Sequence, residues 1–124
     1  MYINTIGHYI PETRIPNDYF TNLNGLTSEW IEQRTGIRSR SRASQEQTME
    51  YMCCKAVKRA LPRLNYNIED VDLIIYASYT PDDTIGTIAH IIQQKYNMSK
   101  AKAFYISSAC SSAMNGIEII KYKI

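Results

Sequence analysis

Residues 103–113 have the sequence Ala-Phe-Tyr-Ile-Ser-Ser-Ala-Cys-Ser-Ser-Ala, and they join two kinds of secondary structure. Residues 103–109 are mainly apolar and aromatic, which predicts a buried strand. A helix is predicted from about Cys110, because Ala113, Met114, Ile117 and Ile120 recur at the three- and four-residue steps of one apolar helix face. This stretch therefore predicts a strand that runs directly into a helix.

The same pattern occurs one step earlier in the chain. Residues 72–78 (Asp-Leu-Ile-Ile-Tyr-Ala-Ser) are apolar without alternation, as in a strand covered on both faces. Residues 85–96 predict a helix whose inward side chains are Ile85, Ile88, Ala89, Ile92 and Tyr96. Strands separated by whole helices require right-handed crossovers. The predicted fold class is therefore α/β, with a parallel or mixed sheet covered by helices.

The first part of the chain predicts one strand and three helices. Residues 2–10 predict a strand, residues 17–24 a short helix, and residues 28–34 a helix with Ser28 as N-cap and Gly36 at its end. A capping box at residues 44–47 predicts the start of a long helix, which Pro62 ends or kinks. Its apolar stripe comprises Met49, Met52, Cys53, Ala56, Val57, Ala60, Leu61 and Leu64. No linker or repeat is visible, so residues 1–124 are interpreted as one unit.

The composition excludes several classes of protein. Hydrophobic residues make up 44% and charged residues 21% of the chain, as in packed globular domains. The net charge of +2 gives no electrostatic argument for binding nucleic acid or an anionic membrane. No apolar run approaches the ~20 residues of a bilayer span, and the N-terminus does not resemble a secretory signal. Three cysteines without paired spacing argue against a disulfide scaffold, so the cytoplasm is the expected compartment.

Cys110 is the residue whose position most strongly suggests chemistry. A thiol between a strand and a helix N-terminus faces free N–H groups, which favour the nucleophilic thiolate. The alternative is a small buried apolar residue. Cys53 and Cys54 are interpreted as packing residues, because an adjacent pair lacks metal-ligand spacing. His8 and His90 are interpreted as structural, and no metal site is predicted.

Trp30 and Arg34 lie one helical turn apart and therefore share a face. Arg38, Arg40 and Arg42 follow closely. An indole can stack on a purine while guanidinium groups hold phosphate, a combination that suits a ligand containing a nucleotide. The alternative interpretation is a solvated basic strand beside one core tryptophan.

Three motifs in this order resemble the N-terminal half of 3-oxoacyl-[acyl-carrier-protein] synthase III, a condensing enzyme of the thiolase fold. The first is Gly7-His8-Tyr9-Ile10-Pro11. The second is residues 28–40, Ser-Glu-Trp-Ile-Glu-Gln-Arg-Thr-Gly-Ile-Arg-Ser-Arg, and the third is Ala109-Cys110-Ser111-Ser112. Further matches are residues 17–18, 70–74, 80–82 and 92–93, so the resemblance covers essentially all 124 residues.

The resemblance implies an acyltransferase of fatty acid biosynthesis. Cys110 would be acylated by an acyl-coenzyme A thioester before decarboxylative condensation with malonyl-acyl carrier protein, and its backbone N–H would form one arm of the oxyanion hole. Trp30 would stack on the adenine of coenzyme A, and Arg34 would bind by charge. Thr35 would lie close to the same nucleotide, and Thr27 would be a further contact. Coenzyme A is then part of the substrate, and no cofactor is expected.

The resemblance also implies a homodimer, formed by edge-to-edge pairing of residues 103–109. Ile85 takes the place of a residue that reaches across the dimer to close the partner's acyl pocket. The usual Cys-x-Gly of the family becomes Cys110-Ser111-Ser112 here.

The family draws a catalytic His and Asn from its second half, and neither His8 nor His90 matches them. The chain is thus expected to be a partial N-terminal thiolase-like domain that ends in the nucleophile helix and is inactive in condensation by itself. Two alternatives remain: a secondary-metabolite or other thiolase-fold enzyme, such as HMG-CoA synthase, or a non-catalytic dimerisation or acyl-binding module.

Overall fold

The computed structural model describes residues 2–21, 23–81 and 87–123, which cluster into two compact units. Ile10–Thr48 forms the small unit, and the described residues on either side of it form the large unit. The small unit contains β1 (Arg14–Pro16), a 3₁₀ turn (Asn17–Phe20), α1 (Ser28–Thr35) and β2 (Ser39–Ser41). The large unit contains α2 (Met49–Ala60), 3₁₀ turns at Leu61–Arg63 and Ile68–Asp70, β3 (Leu73–Ala77), α3 (Ile88–Lys95), β4 (Lys102–Ile106) and α4 (Ser112–Lys123).

A parallel pair of strands forms the centre of the large unit. β3 and β4 are in register from Leu73 opposite Lys102 to Ala77 opposite Ile106, and α3 lies between them in sequence. Both strands were predicted from uninterrupted apolar runs, and the helix between them was predicted from its period. The predicted α/β class and parallel pairing are confirmed.

Helices cover both faces of this strand pair. Tyr76 belongs to the buried core, with Ile74 packed against it, while Ile75 and Ala77 on the opposite face approach Gly116 of α4. This division follows from the strand geometry, because successive side chains point to opposite faces. β3 therefore has the two-sided cover that its sequence predicted.

The core of the large unit is built mainly from α2, α3 and the inner face of the strands. Its buried residues are Cys54, Tyr76, Ile88, Ala89, Ile92, Met98 and Ala101. The Tyr96 hydroxyl, at the end of α3, donates to the Cys54 carbonyl at 3.1 Å. Burial is the main cause that raises the pKa of Tyr96 above its ordinary value of 10.0.

The packed face of α4 differs from the predicted one. Ser112 and Gly116 are buried and Ile120 is half-buried, whereas Ala113, Met114 and Ile117 are exposed. A Cβ atom built on Gly116 would lie 3.4 Å from Ile106 Cδ1, so the small residues allow the helix to approach the sheet closely. The predicted apolar face was therefore wrong except at Ile120.

Residues 2–10 form no strand in the structure, so that prediction was wrong. A strand needs a neighbour to complete its hydrogen bonds. Residues 2–9 instead lie along α2, where Thr5 donates to the Ala60 carbonyl at 3.4 Å. A Cβ atom on Gly7 would lie 2.1 Å from the Ala56 carbonyl oxygen, so this approach requires glycine.

Helix α2 begins and ends inside its predicted limits. The predicted capping box forms a turn, in which the Ser44 N–H donates to Gln47 Oε1 at 2.9 Å, and the helix starts only at Met49. The helix ends at Ala60, and a 3₁₀ turn contains Pro62. Proline lacks an N–H and clashes with the preceding turn, which explains this end.

The small unit contains a ribbon that was not predicted as a pair of strands. β1 and β2 are antiparallel, with Arg14 opposite Ser41 and Pro16 opposite Ser39. The Arg14 guanidinium donates to Ser39 Oγ at 2.7 Å and to Ser41 Oγ at 3.0 Å. Over residues 17–24, where a short helix was predicted, the described residues contain the 3₁₀ turn Asn17–Phe20.

Candidate active site

The segment between β4 and α4, residues 107–111, is a tight elbow that presents Cys110 to solvent. Cys110 lies two residues before the first residue of α4. Cys53 is half-buried and Cys54 is buried, both on α2. Of the two interpretations of Cys110, the exposed thiol before a helix fits, and the buried packing residue does not.

The backbone of the elbow is held by the hydroxyl of Ser112. The Ser108 N–H donates to Ser112 Oγ at 2.9 Å, and this hydroxyl donates to the Ala109 carbonyl at 2.7 Å. Ser112 has 3% of its surface exposed, so both hydrogen bonds are shielded from water. We call this pair of hydrogen bonds the Ser112 clamp.

Ala109, the residue before Cys110, has a left-handed backbone with φ of +51°. The other non-glycine residues with positive φ in the described ranges are Asn24 and Asn97, and asparagine tolerates this region better than alanine does. Such a conformation costs on the order of 1–3 kcal/mol and persists only where neighbouring contacts impose it. The strain therefore lies directly beside the exposed thiol.

Two further side chains hold Ser108, Ser111 from within the elbow and Asn115 from the first turn of α4. Ser111 Oγ donates to the Ser108 carbonyl at 2.7 Å, and Asn115 Nδ2 donates to Ser108 Oγ at 2.7 Å. The sequence placed Ala109 and Ser112 in the nucleophile motif without predicting these hydrogen bonds, and it did not single out Asn115. The signal that could have found Ser112 is the departure from Cys-x-Gly, which places a hydroxyl where the family has none.

In the small unit, α1 presents Trp30 and Arg34 on one exposed face. The indole of Trp30 is 49% exposed, and the Arg34 guanidinium carbon lies 5.9 Å from its ring centroid. Such a distance permits a cation–π contact. The alternative interpretation of Trp30 as a core residue was therefore wrong.

The two ends of α1 are capped, but not entirely as predicted. Thr27, rather than Ser28, is the N-cap, and its Oγ1 accepts from the Trp30 N–H at 3.1 Å. The Ser28 hydroxyl instead donates to the Asp18 carboxylate. Gly36 ends the helix with φ of +69°, as predicted. Thr35 Oγ1 donates to the Ile31 carbonyl at 2.7 Å within the last turn.

Asn17 is buried beside α1, with 4% of its surface exposed. Its Nδ2 donates to the Ile37 carbonyl at 2.8 Å and to the Ser28 carbonyl at 3.4 Å. Its Oδ1 accepts from Arg40 Nη2 at 2.6 Å. One side chain thus joins both ends of α1 to β2, and sequence reasoning did not identify it as a site residue.

The arginines that follow α1 are engaged with groups of the small unit. Arg38 pairs with Glu32 at 2.6 Å, Arg40 stacks 4.7 Å from the Phe20 centroid, and Arg42 donates to the Tyr19 hydroxyl at 3.1 Å. Residues 39–41 are indeed strand β2, as the basic-strand interpretation proposed. Arg34 is therefore the arginine best placed to meet a ligand beside Trp30.

The remaining predicted residues add no group to either region. His8 and His90 are exposed. Ile85 lies outside the described residues. Among residues 2–21, 23–81 and 87–123, no cluster of His, Cys, Asp and Glu could hold a metal ion. In the same ranges, no helix is long and apolar enough to cross a membrane.

No family model matches the chain. It is 36% identical over 116 residues to the beta-ketoacyl-[acyl-carrier-protein] synthase III of Clostridioides difficile, which covers 94% of this chain and 35% of that enzyme. The crystal structure of 3-oxoacyl-[acyl-carrier-protein] synthase III from Aquifex aeolicus matches with a TM-score of 0.85 and 34% identity, over 97% of this chain and 39% of that one.

The priming beta-ketosynthase of the R1128 polyketide biosynthetic pathway matches with a TM-score of 0.83 and 28% identity, over 94% of this chain and 35% of that one. The chain thus spans about a third of the length of the curated relatives it matches. These similarities confirm the resemblance that the sequence motifs indicated. In sequence and in its thiolase-like fold, the chain is a homologue of the beta-ketoacyl-[acyl-carrier-protein] synthase III enzymes.

Proposed function

We propose that this chain carries the acyl-accepting site of a 3-oxoacyl-[acyl-carrier-protein] synthase III of fatty acid biosynthesis, with Cys110 as the nucleophile. The observation that supports this most directly is the exposed Cys110 thiol on a strained elbow before α4. The thiolate is the form that attacks thioesters, and an exposed thiol is accessible to them. The half-buried Cys53 and buried Cys54 lack this setting.

The proposed acylation transfers one acyl group between two sulfur atoms. The Cys110 thiolate attacks the thioester carbonyl, and the Cys110 backbone N–H helps to stabilise the resulting oxyanion. The tetrahedral intermediate then expels the coenzyme A thiolate, which takes up a proton from solvent. Condensation requires a second step, in which malonyl-acyl carrier protein loses carbon dioxide and the resulting carbanion attacks the acyl carbonyl, which breaks the bond to sulfur and releases the Cys110 thiolate and the 3-oxoacyl product.

α1 is the proposed contact for coenzyme A. The exposed indole of Trp30 offers a face for adenine, and Arg34 supplies a positive charge to phosphate beside it. Thr27 and Thr35 would border the nucleotide. Their hydroxyls already bond within α1, so we expect them to contribute mainly van der Waals contact.

A homodimer and an acyl carrier protein partner belong to the same proposal. One edge of β4 has no neighbouring strand in the described parts of the chain, and a free edge can pair with a second copy. Ile85 would then lie near the acyl pocket of the partner. The three cysteines of this chain are free, which suits the reducing cytoplasm, and this is the proposed location.

Mass spectrometry of the chain incubated with acetyl-CoA and malonyl-acyl carrier protein tests this function. We expect an acetyl group on Cys110 and no condensation product, because neither histidine of this chain matches the catalytic His of the family. The Cys110→Ser variant should remain unacetylated, and Cys53→Ser should behave as the unmodified chain. Acetylation of Cys53 or Cys54 at the same rate as Cys110 would contradict the assignment of Cys110 as the nucleophile. Formation of a condensation product would contradict the expectation that this chain accepts the acyl group but does not condense it.

The similarity to the polyketide priming ketosynthase supports a second candidate within the same chemistry, a secondary-metabolite condensing enzyme. The two candidates differ in the acyl group that Cys110 accepts. Acetylation rates compared with those from longer and branched acyl-CoA donors separate them. A strong preference for a donor other than acetyl-CoA would favour the second candidate.

A further inference from the structure

The Ser112 clamp has no counterpart in the Cys-x-Gly pattern, since glycine has no side chain that could hold the elbow. Ser112 contacts both residues on the N-terminal side of Cys110, accepting from the Ser108 N–H and donating to the Ala109 carbonyl. A single buried hydroxyl therefore uses its donor and an acceptor lone pair on consecutive residues. Both hydrogen bonds are shorter than 3.0 Å, and little of the side chain is exposed.

The Ser112 clamp acts on Ala109, whose left-handed backbone conformation is unfavourable for alanine. Alanine at φ of +51° would return to negative φ if the surrounding contacts were released. A change of φ at Ala109 rotates the following peptide, and with it the position of Cys110 relative to the N-terminus of α4. The Ala109 carbonyl also accepts from the Ser112 backbone N–H at 3.2 Å, so Ser112 holds this residue through both its main chain and its hydroxyl.

We propose that Ser112 is a positioning residue, whose hydroxyl keeps Ala109 in the left-handed region and thereby holds Cys110 at the N-terminus of α4 in its reactive position. This proposal rests on the function proposed for Cys110, because reactivity is the property that the clamp protects. Ser112 itself does not touch the acyl group. Its hydroxyl makes two hydrogen bonds that a glycine at this position could not make.

Two measurements on the 124-residue chain test the clamp. The first is the rate constant of Cys110 alkylation by iodoacetamide, followed by peptide mapping, with Cys53 and Cys54 as slow internal references. We expect Ser112→Ala to lower this rate constant about five- to tenfold, because the elbow loses both hydrogen bonds. The second is amide hydrogen exchange at Ser108, whose N–H should exchange faster in the same variant.

A rescue separates positioning from simple loss of packing. Glycine has no penalty at positive φ, so Ala109→Gly should return the Ser112→Ala variant to within about twofold of the alkylation rate of Ala109→Gly alone. Ser111→Ala is the matched control, since it removes a neighbouring hydroxyl that donates to the Ser108 carbonyl rather than to Ala109. Its effect should be smaller than that of Ser112→Ala.

The outcomes distinguish this inference from the function on which it rests. Unchanged Ser108 exchange in Ser112→Ala, or a double variant as slow as Ser112→Ala, would overturn the clamp. Slow alkylation of Cys110 in the unmodified chain would contradict the proposed function, while Ser108 exchange would still decide whether Ser112 holds the elbow. Unfolding of Ser112→Ala would be visible as fast labelling of Cys54, and Ser112→Thr, which keeps the hydroxyl, should then restore slow Ser108 exchange.

Discussion

The elbow at Cys110 and helix α1 both present candidate ligand contacts, but they do so in different ways. α1 is a regular helix with a threonine at one end and a left-handed glycine at the other, and its candidate contacts are exposed side chains. The elbow places a single thiol by means of an unfavourable alanine conformation and a buried hydroxyl. Ligand binding by α1 should therefore be weakened by replacing single exposed side chains. The reactivity of Cys110 should instead depend on the backbone conformation of the elbow.

The largest expected effect concerns the three thiols. Brief alkylation of the folded chain should modify Cys110 faster than Cys54 by a factor on the order of 100, because the buried thiol reacts only after local opening. Cys53, which is half-buried, should be intermediate. Peptide mapping measures all three rates in one sample. Equal rates in a sample with native circular dichroism would remove the distinction that sets the elbow apart.

The second effect concerns the exposed face of α1. Trp30→Ala and Arg34→Ala should each weaken coenzyme A binding roughly five- to hundredfold, by analogy with the loss of a base-stacking contact. Isothermal titration calorimetry measures the dissociation constants. Arg38→Ala is the matched control, because this guanidinium is paired with Glu32, and its affinity should be near that of the unmodified chain. Unchanged affinity in both test variants would exclude α1 from the site.

The third effect concerns the support beneath α1. Asn17→Ala leaves the Ile37 carbonyl and the Arg40 guanidinium without their buried partner, so the free energy of unfolding should fall by about 1–3 kcal/mol. Urea titration followed by circular dichroism measures the change. Asn4→Ala, at an exposed position, should stay within about 0.5 kcal/mol of the unmodified chain. Equal effects of the two variants would show that α1 does not depend on Asn17.

The smallest effect lies outside both regions, in the exposed pair of Lys100 and Asp70. The hydrogen bond to the Asp70 carboxylate, at 2.9 Å, raises the pKa of Lys100 above its ordinary value of 10.5. The folded protein therefore binds this proton more tightly than the unfolded chain does. The pair stabilises the fold below the ordinary lysine pKa, and this stabilisation is lost as the pH rises through the raised pKa of Lys100. Because both side chains are largely exposed, the contribution is small.

Thermal melts of Lys100→Met and the unmodified chain measure this difference. The variant should melt slightly lower near pH 8, and the two melting temperatures should converge as the pH rises through the raised pKa of Lys100. A difference that persisted at the higher pH would mean that Lys100 acts through packing of its stem rather than through its charge.

Helices and parallel strands were predictable where local pattern and tertiary packing agree. The three- and four-residue steps of α3 place Ile88, Ala89 and Ile92 in the core, as the sequence indicated. Residues 2–10 have the composition of a strand, but composition does not supply a partner. The pairing of β1 with β2 was not predicted, because the opposite holds there: a partner strand exists but the composition is not that of a strand. Ser39–Ser41 is short and polar, and it pairs with Arg14–Pro16, which is distant in sequence.

Sequence motifs gave the residues of the candidate site, which stay predictions, but they gave no information about the contacts that hold those residues in place. Cys110, Trp30 and Arg34 follow from motifs whose residue types suit the chemistry. The left-handed conformation of Ala109 could not be inferred, because alanine seldom adopts it and nothing local favours it. Asn17 is a residue type that is common at the start of a helix. Its burial beside α1 depends on residues that are distant in sequence.

Trp30 is the only tryptophan in a chain that contains ten tyrosines, and its indole is half-exposed on α1. Its fluorescence therefore reports on one known position without any label. Emission of a solvated indole lies at longer wavelength than emission of a buried one, so a purine stacked on this ring should shift or quench the spectrum. A change in emission on adding adenine nucleotides would locate the contact at Trp30, and the unaltered protein could be titrated at concentrations far below those that calorimetry requires.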